Sequence, residues 1–364
     1  MKKGYYHSII VGFFFLILLP LVLMPFMKNR PAENRQLAER PLLWENGGFN
    51  STFPEEMDAY FQDHFAGRTQ MIDLYARMVA GVFGQSANEK VVLGKEGWLF
   101  FQDTVKDFEG TSTLSPSEMD RLIATLERVN FLLERRGQRF IIVIPPNKNS
   151  IYGEYMPKSY VRAEGPSNYD RLLQAKTLPI LDLRNILENA PGQTYYQTDT
   201  HWNAYGARLA ANAMLEEIGK RTGIVPNQFP MEDSALLRPE NIKGDLAQML
   251  YPYWTPLETE SSYVDIPQSF RTVGRYHGPE DPQITTIQEG GLPLSLYVLR
   301  DSFFNALVPY FSDTFQNVYY TRQMPLSFET DKAKTADLVI LEITERRLFE
   351  LLEMEPDIDG FIQE

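Results

Sequence analysis

Arg139-Phe-Ile-Ile-Val-Ile-Pro-Pro146 carries five consecutive apolar residues, four of them β-branched. A half-exposed strand would alternate, and this run does not. It reads as a strand covered on both faces, as in the middle of a parallel sheet. Upstream, Ser115-Pro-Ser-Glu118 is a capping box with proline at the first helical position. The helix it opens runs to about Arg136 and stops at Gly137. Met119, Leu122, Leu126, Val129 and Leu133 form its apolar stripe.

Downstream the alternation continues. The strand exit Pro145–Tyr152 is polar and tight. A helix around Asn168–Lys176, a strand at Leu178–Leu183 and a short helix from Arg184 follow. Another helix spans about Asn203 to Arg221, ended by Gly223. Leu294–Phe304 reads as a strand that turns abruptly at Asp301-Ser302 into a helix reaching about Tyr310. Val318–Arg322 and Ala336–Thr344 are two further strands, and Glu345–Leu352 a last helix. Strands alternating with helices imply an α/β fold: a parallel sheet flanked by helices.

Residues 224–290 break the rhythm with prolines and aromatic clusters such as Tyr251-Pro-Tyr-Trp254, and read as an insertion. The aromatics there serve loop packing or part of a substrate surface. Val91–Phe101 reads as a β-hairpin about a glycine-containing turn. Phe53–Phe83 reads as helical, with His64 in it as a structural residue. The expected division is 1–30, 31–90 for a juxtamembrane and helical segment, and 91–364 for the α/β domain with its insertion at about 224–290.

At the N-terminus, Ser8–Met27 has no charged residue and is long enough to cross a bilayer as a helix. Lys2 and Lys3 precede it, and Met27–Ala32 offers no small-x-small cleavage site. The expectation is an uncleaved signal-anchor, single-pass in the cytoplasmic membrane, with everything from about Lys28 on the extracytoplasmic side. A cleaved signal peptide is the alternative. The net charge of −13 argues against a nucleic-acid partner, since phosphate binding needs a basic footprint. With no cysteine, disulfides, thiolate zinc sites and a Cys nucleophile are excluded.

Thr194-Tyr-Tyr-Gln-Thr-Asp-Thr-His-Trp-Asn-Ala-Tyr-Gly206 is where chemistry is expected. If Thr194–Thr200 is extended, Asp199 and His201 point to one face with Cα atoms roughly 6.5–7 Å apart. A carboxylate there can fix the imidazole tautomer and leave the other ring nitrogen free as a base. The alternative is that Asp199 or Thr200 caps the next helix and His201 is a packed surface histidine. Ser302 stands where a strand ends and a helix begins, so it is either a nucleophile or a helix cap. A metal site is poorly supplied, because Asp199 and His201 offer two ligands and nothing nearby completes them. No cofactor is expected.

Asp199-Thr-His-Trp202 before a helix, Arg300-Asp-Ser-Phe303 after a strand, and Ile144–Tyr152 together resemble the alginate O-acetyltransferase AlgX/AlgJ family, which is SGNH-hydrolase-like and overlaps the DHHW family. Glu33-Asn-Arg35, Phe61–Arg68, Gly94–Phe100, Gly244-Asp-Leu246 and Glu342–Arg346 support it in order. The resemblance implies an SGNH-hydrolase-like fold and serine-dependent O-acetyl transfer to an extracytoplasmic polysaccharide. It implies an acetyl group delivered by a membrane-bound O-acyltransferase partner. It gives Ser302, His201 and Asp199 the triad roles. The Ser302 N–H, with Asn147 and Lys148, are the oxyanion or substrate candidates, together with Trp202. The chain departs from the family in the residues flanking Ser302 and in Asn203-Ala204, and its acidity favours a neutral or cell-wall glycan over alginate. An acetyl esterase of the same fold and a non-catalytic glycan-binding assembly factor are the other readings.

Overall fold

The structure is a computed structural model that describes residues 2–24, 26, 37–45, 47–231, 237–322, 328 and 330–354. Glu33-Asn-Arg35 and the flank Lys28–Ala32 fall outside the described residues. The chain divides into two compact units, Met1–Leu93 with Asp245–Leu257, and Gly94–Gly244 with Glu258–Glu364.

In the first unit, α1 (Lys2–Leu23) contains an 18-residue window, Tyr6–Leu23, of mean hydropathy 2.3. It is long and apolar enough to cross a membrane. A small ribbon pairs Trp44–Glu45 with Gly48–Phe49. The helical stretch expected from Phe53 to Phe83 is two helices, α2 (Phe53–His64) and α3 (Arg68–Phe83). Phe65 leaves the helical region and Gly67 takes φ +79°, a conformation glycine adopts without strain. His64 stacks on Tyr60 and its Nδ1 lies 2.9 Å from the Tyr60 carbonyl, a structural placement.

The second unit is built on a seven-stranded sheet. Its strands are β1 (Arg139–Val143), β2 (Ile180–Leu181), β3 (Arg271–Thr272), β4 (Gln283–Ile287), β5 (Leu292–Leu299), β6 (Phe315–Thr321) and β7 (Leu338–Glu342), in the order β2-β1-β7-β5-β6-β4-β3. The first five in that order are parallel, with Ile141 opposite Ile340 and Val298 opposite Ile340 fixing the centre. The parallel sheet expected from the sequence is extended at one edge, where β4 and β3 add antiparallel and make it mixed. Both come from 224–290, a stretch whose Gln-Ile-Thr-Thr-Ile strand is too polar to stand out. Ile284 and Thr286 nonetheless face inward and are buried. The same stretch supplies a hairpin, Leu237–Ile242 with Glu258–Tyr263.

Phe140 and Ile142 of β1, Tyr297 and Leu299 of β5, and Val339 and Leu341 of β7 share one face. They pack with Met119, Leu122, Leu126, Val129 and Leu133 of α4 (Pro116–Arg135). The alternate residues Ile141, Val143, Val298 and Ile340 are buried too, so both faces are covered. Each such side chain contributes about 1.5–3 kcal/mol. The capping box of α4 forms as read, with Ser115 Oγ accepting from the Glu118 N–H and Glu118 accepting from the Ser115 N–H. It contributes about 1 kcal/mol.

Candidate active site

Because the central strands are parallel, β1, β5 and β7 all end at one rim, the edge where α/β sheets place their ligands. At the end of β5 the chain turns sharply. The Asp301 N–H donates to Glu342 Oε2 at 2.7 Å, and the Asp301 carboxylate accepts from the Phe303 N–H at 2.9 Å and the Thr344 N–H at 2.8 Å. The turn is thereby tied to the end of β7. Ser302 then opens the 3₁₀ turn Phe303–Ala306, its carbonyl accepting from Asn305 at 3.1 Å. Its hydroxyl makes no cap hydrogen bond. Instead Ser302 Oγ lies 2.9 Å from His201 Nε2, and His201 Nδ1 lies 2.8 Å from Asp199 Oδ1.

The segment carrying Asp199 and His201 is not the strand expected at Thr194–Thr200. It is a tight loop closed by an isolated antiparallel bridge between Tyr195 and Trp202. Asp199 Oδ1 also accepts the His201 backbone N–H at 2.9 Å. An Asx turn, rather than strand alternation, therefore brings carboxylate and imidazole together. The helix that follows, α5 (Ala204–Thr222), is capped by Asn203, whose Oδ1 accepts from Gly206 N–H at 2.9 Å. Neither Asp199 nor Thr200 caps it.

An irregular loop must satisfy its peptide groups individually. Here two buried side chains of opposite charge do so. Lys148 Nζ donates to the carbonyls of Tyr196, Gln197 and Asp199 at 3.1, 3.0 and 2.6 Å. Glu258 accepts from the N–H groups of Gln197 and Thr198 at 2.6 and 2.8 Å, and from the Thr198 hydroxyl. The Leu99 N–H donates to Gln197 O at 2.9 Å, Thr194 N–H to the Tyr152 hydroxyl at 2.7 Å, and the Tyr195 hydroxyl to Pro146 O at 2.7 Å. Two glycines allow close approach. A Cβ on Gly206 would lie 2.1 Å from Thr194 O, and one on Gly244 2.2 Å from Thr198 O.

Lys148, expected as an oxyanion or substrate contact, is a clamp for the loop. Asn147, expected in the same role, is buried; its N–H donates to Glu345 Oε2 at 2.8 Å and its Nδ2 to Asp107 at 3.0 Å. Trp202 is 2% exposed and packs edge-on against Phe303 with ring centroids 5.0 Å apart, so it supports the site from beneath. Phe303 also lies 4.8 Å from the His201 ring and carries the Arg346 guanidinium 5.6 Å above its own. Asp199 and His201 remain partly open, at 17% and 28% side-chain exposure, and Ser302 is half-buried.

Asp301 and Glu342 form a buried carboxyl pair beside the serine. Burial, then the Asp301 charge, pushes Glu342 well above the usual carboxylate range. Burial alone would raise Asp301, but its hydrogen bond with Glu342, the Arg346 charge and two backbone N–H groups hold it below its ordinary value. The two buried carboxyl groups thus shift in opposite directions, Glu342 up and Asp301 down. Sequence reasoning missed Glu342 and Glu258. The first was signalled by a lone acid in the apolar run Leu338–Ile343; the second has no local signal. A cavity of about 690 Å³ on the same rim is lined by residues including Asp107, Ser150, Arg162 and Glu345, and by none of Asp199, His201 or Ser302.

A family model described as SGNH hydrolase-like domain, acetyltransferase AlgX, matches residues 91–276, half of the chain. The chain belongs to this family. The matched stretch contains Asp199 and His201 and ends before Ser302. Among curated relatives, the probable alginate O-acetylase AlgJ of Pseudomonas putida is 26% identical over 178 residues, covering 48% of this chain and 45% of that protein. AlgJ of Pseudomonas aeruginosa is 28% identical over 186 residues, covering 50% and 44%. The chain thus spans about half the length of the curated relatives it matches. Among solved structures, Bacillus cereus PatB1 with a sulfonyl adduct superposes with a TM-score of 0.52 at 16% identity, over 71% of this chain and 97% of that one. That likeness is one of fold, and it matches an SGNH-like α/β domain with a mixed sheet.

Proposed function

We propose that this AlgX-family chain is an extracytoplasmic O-acetyltransferase that carries an acetyl group on Ser302 to a hydroxyl of a cell-surface polysaccharide. The observation that carries the reading is the continuous relay Ser302 Oγ, His201 Nε2, His201 Nδ1, Asp199 Oδ1, with separations of 2.9 and 2.8 Å. In the first half-reaction Ser302 Oγ bonds to the acetyl carbonyl carbon and the bond to the donor's leaving group breaks. His201 Nε2 takes the serine proton and passes it to that leaving group. In the second, a sugar hydroxyl gives its proton to His201 and bonds to the acetyl carbon, the ester to Ser302 breaks, and the proton returns to Ser302. Asp199 holds the tautomer that leaves Nε2 free. The Ser302 N–H is the first candidate donor to the oxyanion. The membrane-spanning α1 holds the chain at the membrane, where a membrane-bound O-acyltransferase partner supplies the acetyl group.

The test is acetyl transfer from an activated acetyl ester, with and without oligosaccharide. An oligosaccharide-dependent acetylated product that disappears in Ser302→Ala, with the fold intact, supports the reading. Acetate release alone, unchanged by oligosaccharide, makes the chain an esterase. Full activity in Ser302→Ala removes the serine from the mechanism.

A further inference from the structure

α3 is amphipathic the wrong way round for a helix packed on a protein core. Its buried positions are Thr69, Asp73 and Ala76, spaced by four and three residues. Asp73 is fully buried and accepts from Arg77 Nε at 2.6 Å and from the N–H groups of Trp254 and Tyr253 at 3.0 and 3.3 Å. The opposite stripe, Met71, Leu74, Tyr75, Met78 and Val82, is apolar, and each of its residues is between 52% and 68% exposed. Trp254, held beside α3 by these hydrogen bonds, is more than half exposed as well. Contiguous apolar surface of this kind marks a docking face.

Two observations say what covers it. The first is charge. Met1–Leu93 with Asp245–Leu257 holds nine basic and ten acidic residues, so nearly all of the net −13 resides in the other unit. A near-neutral unit meets little repulsion from anionic lipid headgroups, whereas the acidic remainder is repelled. The second is chain continuity. The same unit begins with α1, which is fit to span a bilayer, and continues into a ribbon whose Trp44 and Phe49 are exposed and pack edge to face at 5.9 Å. Exposed tryptophan in the same unit as a membrane-spanning helix fits the composition of the lipid–water interface.

We infer that the first unit rests on the bilayer, with the Met71–Val82 face of α3 and Trp254 in the headgroup–acyl boundary, as an interfacial helix does. This rests on the reading of α1 as a membrane anchor.

The chain has no cysteine, so single labels are unambiguous. The full chain is reconstituted into phosphatidylcholine–phosphatidylglycerol vesicles with an environment-sensitive fluorophore on Met78→Cys, on Ile10→Cys in α1, or on Asp120→Cys in α4. Doxyl-labelled lipid is expected to quench the Ile10 and Met78 labels by about half or more and to leave the Asp120 label unchanged, as burial at the interface requires. Quenching at Ile10 with a Met78 label still open to aqueous iodide overturns the inference while anchoring stands. No quenching at either position removes the anchor and the inference with it. Shielding of Met78 that follows protein concentration in detergent, without lipid, assigns the face to a second copy and also overturns it.

Discussion

Asp301 and Glu342, from the ends of neighbouring parallel strands, lie against each other one residue away from Ser302. The Asp301 N–H donates to Glu342 at 2.7 Å, and both side chains are buried. The folded pKa of Glu342 lies above its ordinary value, so the native state keeps a proton that the unfolded chain releases above about pH 4.5. The stability this group contributes is complete below that pH and falls as pH rises toward the folded value. Glu342→Gln does not ionise. Its melting temperature is therefore expected to vary less than wild type between about pH 5 and 8; parallel pH profiles for the two proteins would remove Glu342 from the account.

Asp199→Asn keeps an oxygen for the His201 backbone N–H but loses the charge that selects the imidazole tautomer. The expected result is a fall in kcat of about 10⁴-fold on an activated acetyl ester, with unchanged circular dichroism. A loss below tenfold would show that Asp199 does not orient the base.

Lys148→Met preserves most of the side-chain volume and deletes the donor to three carbonyls. Gln197 O keeps the Leu99 N–H, and loss of the donor at the Tyr196 and Asp199 carbonyls is expected to cost about 3 kcal/mol in urea unfolding and to lower activity along with stability. An unaltered urea midpoint would mean that the loop holds itself.

Gly206→Ala and Gly219→Ala lie on the same helix and differ in what a methyl group meets. At Gly206 it collides with Thr194 O; at Gly219 its nearest neighbour is Pro226 Cδ at 3.4 Å. The first substitution is expected to destabilise by about 1–3 kcal/mol and to disturb the loop beneath His201. The second is expected to be neutral or stabilising by up to about 1 kcal/mol. Thermal melts of both separate helix propensity from crowding, and equal melting temperatures would refute the crowding argument.

What could be read from the sequence follows the range of the forces involved. The Phe140–Ile144 run and the Met119–Leu133 stripe are local patterns, and they became an interior strand of the sheet and its covering helix. Ser302 was visible because a strand stops there and a turn begins. The loop at Thr194–Thr200 misled because Tyr195 and Tyr196 favour strands. Its actual shape depends on Lys148, some fifty residues upstream, and Glu258, some sixty downstream, and neither leaves a mark on the local pattern. Asn147, Lys148 and Trp202 were oxyanion or substrate candidates through the family resemblance alone. Here each is consumed by holding another segment in place.

The Lys148–Glu258 pair bears on any attempt to transplant this chemistry. A host sheet given only the Asp-x-His-Trp tetrapeptide and a serine at a strand exit would inherit the reagents without the vice that sets their spacing. A working graft has to import one cation and one anion from far apart in the chain, each facing an opposite edge of the same few peptide groups.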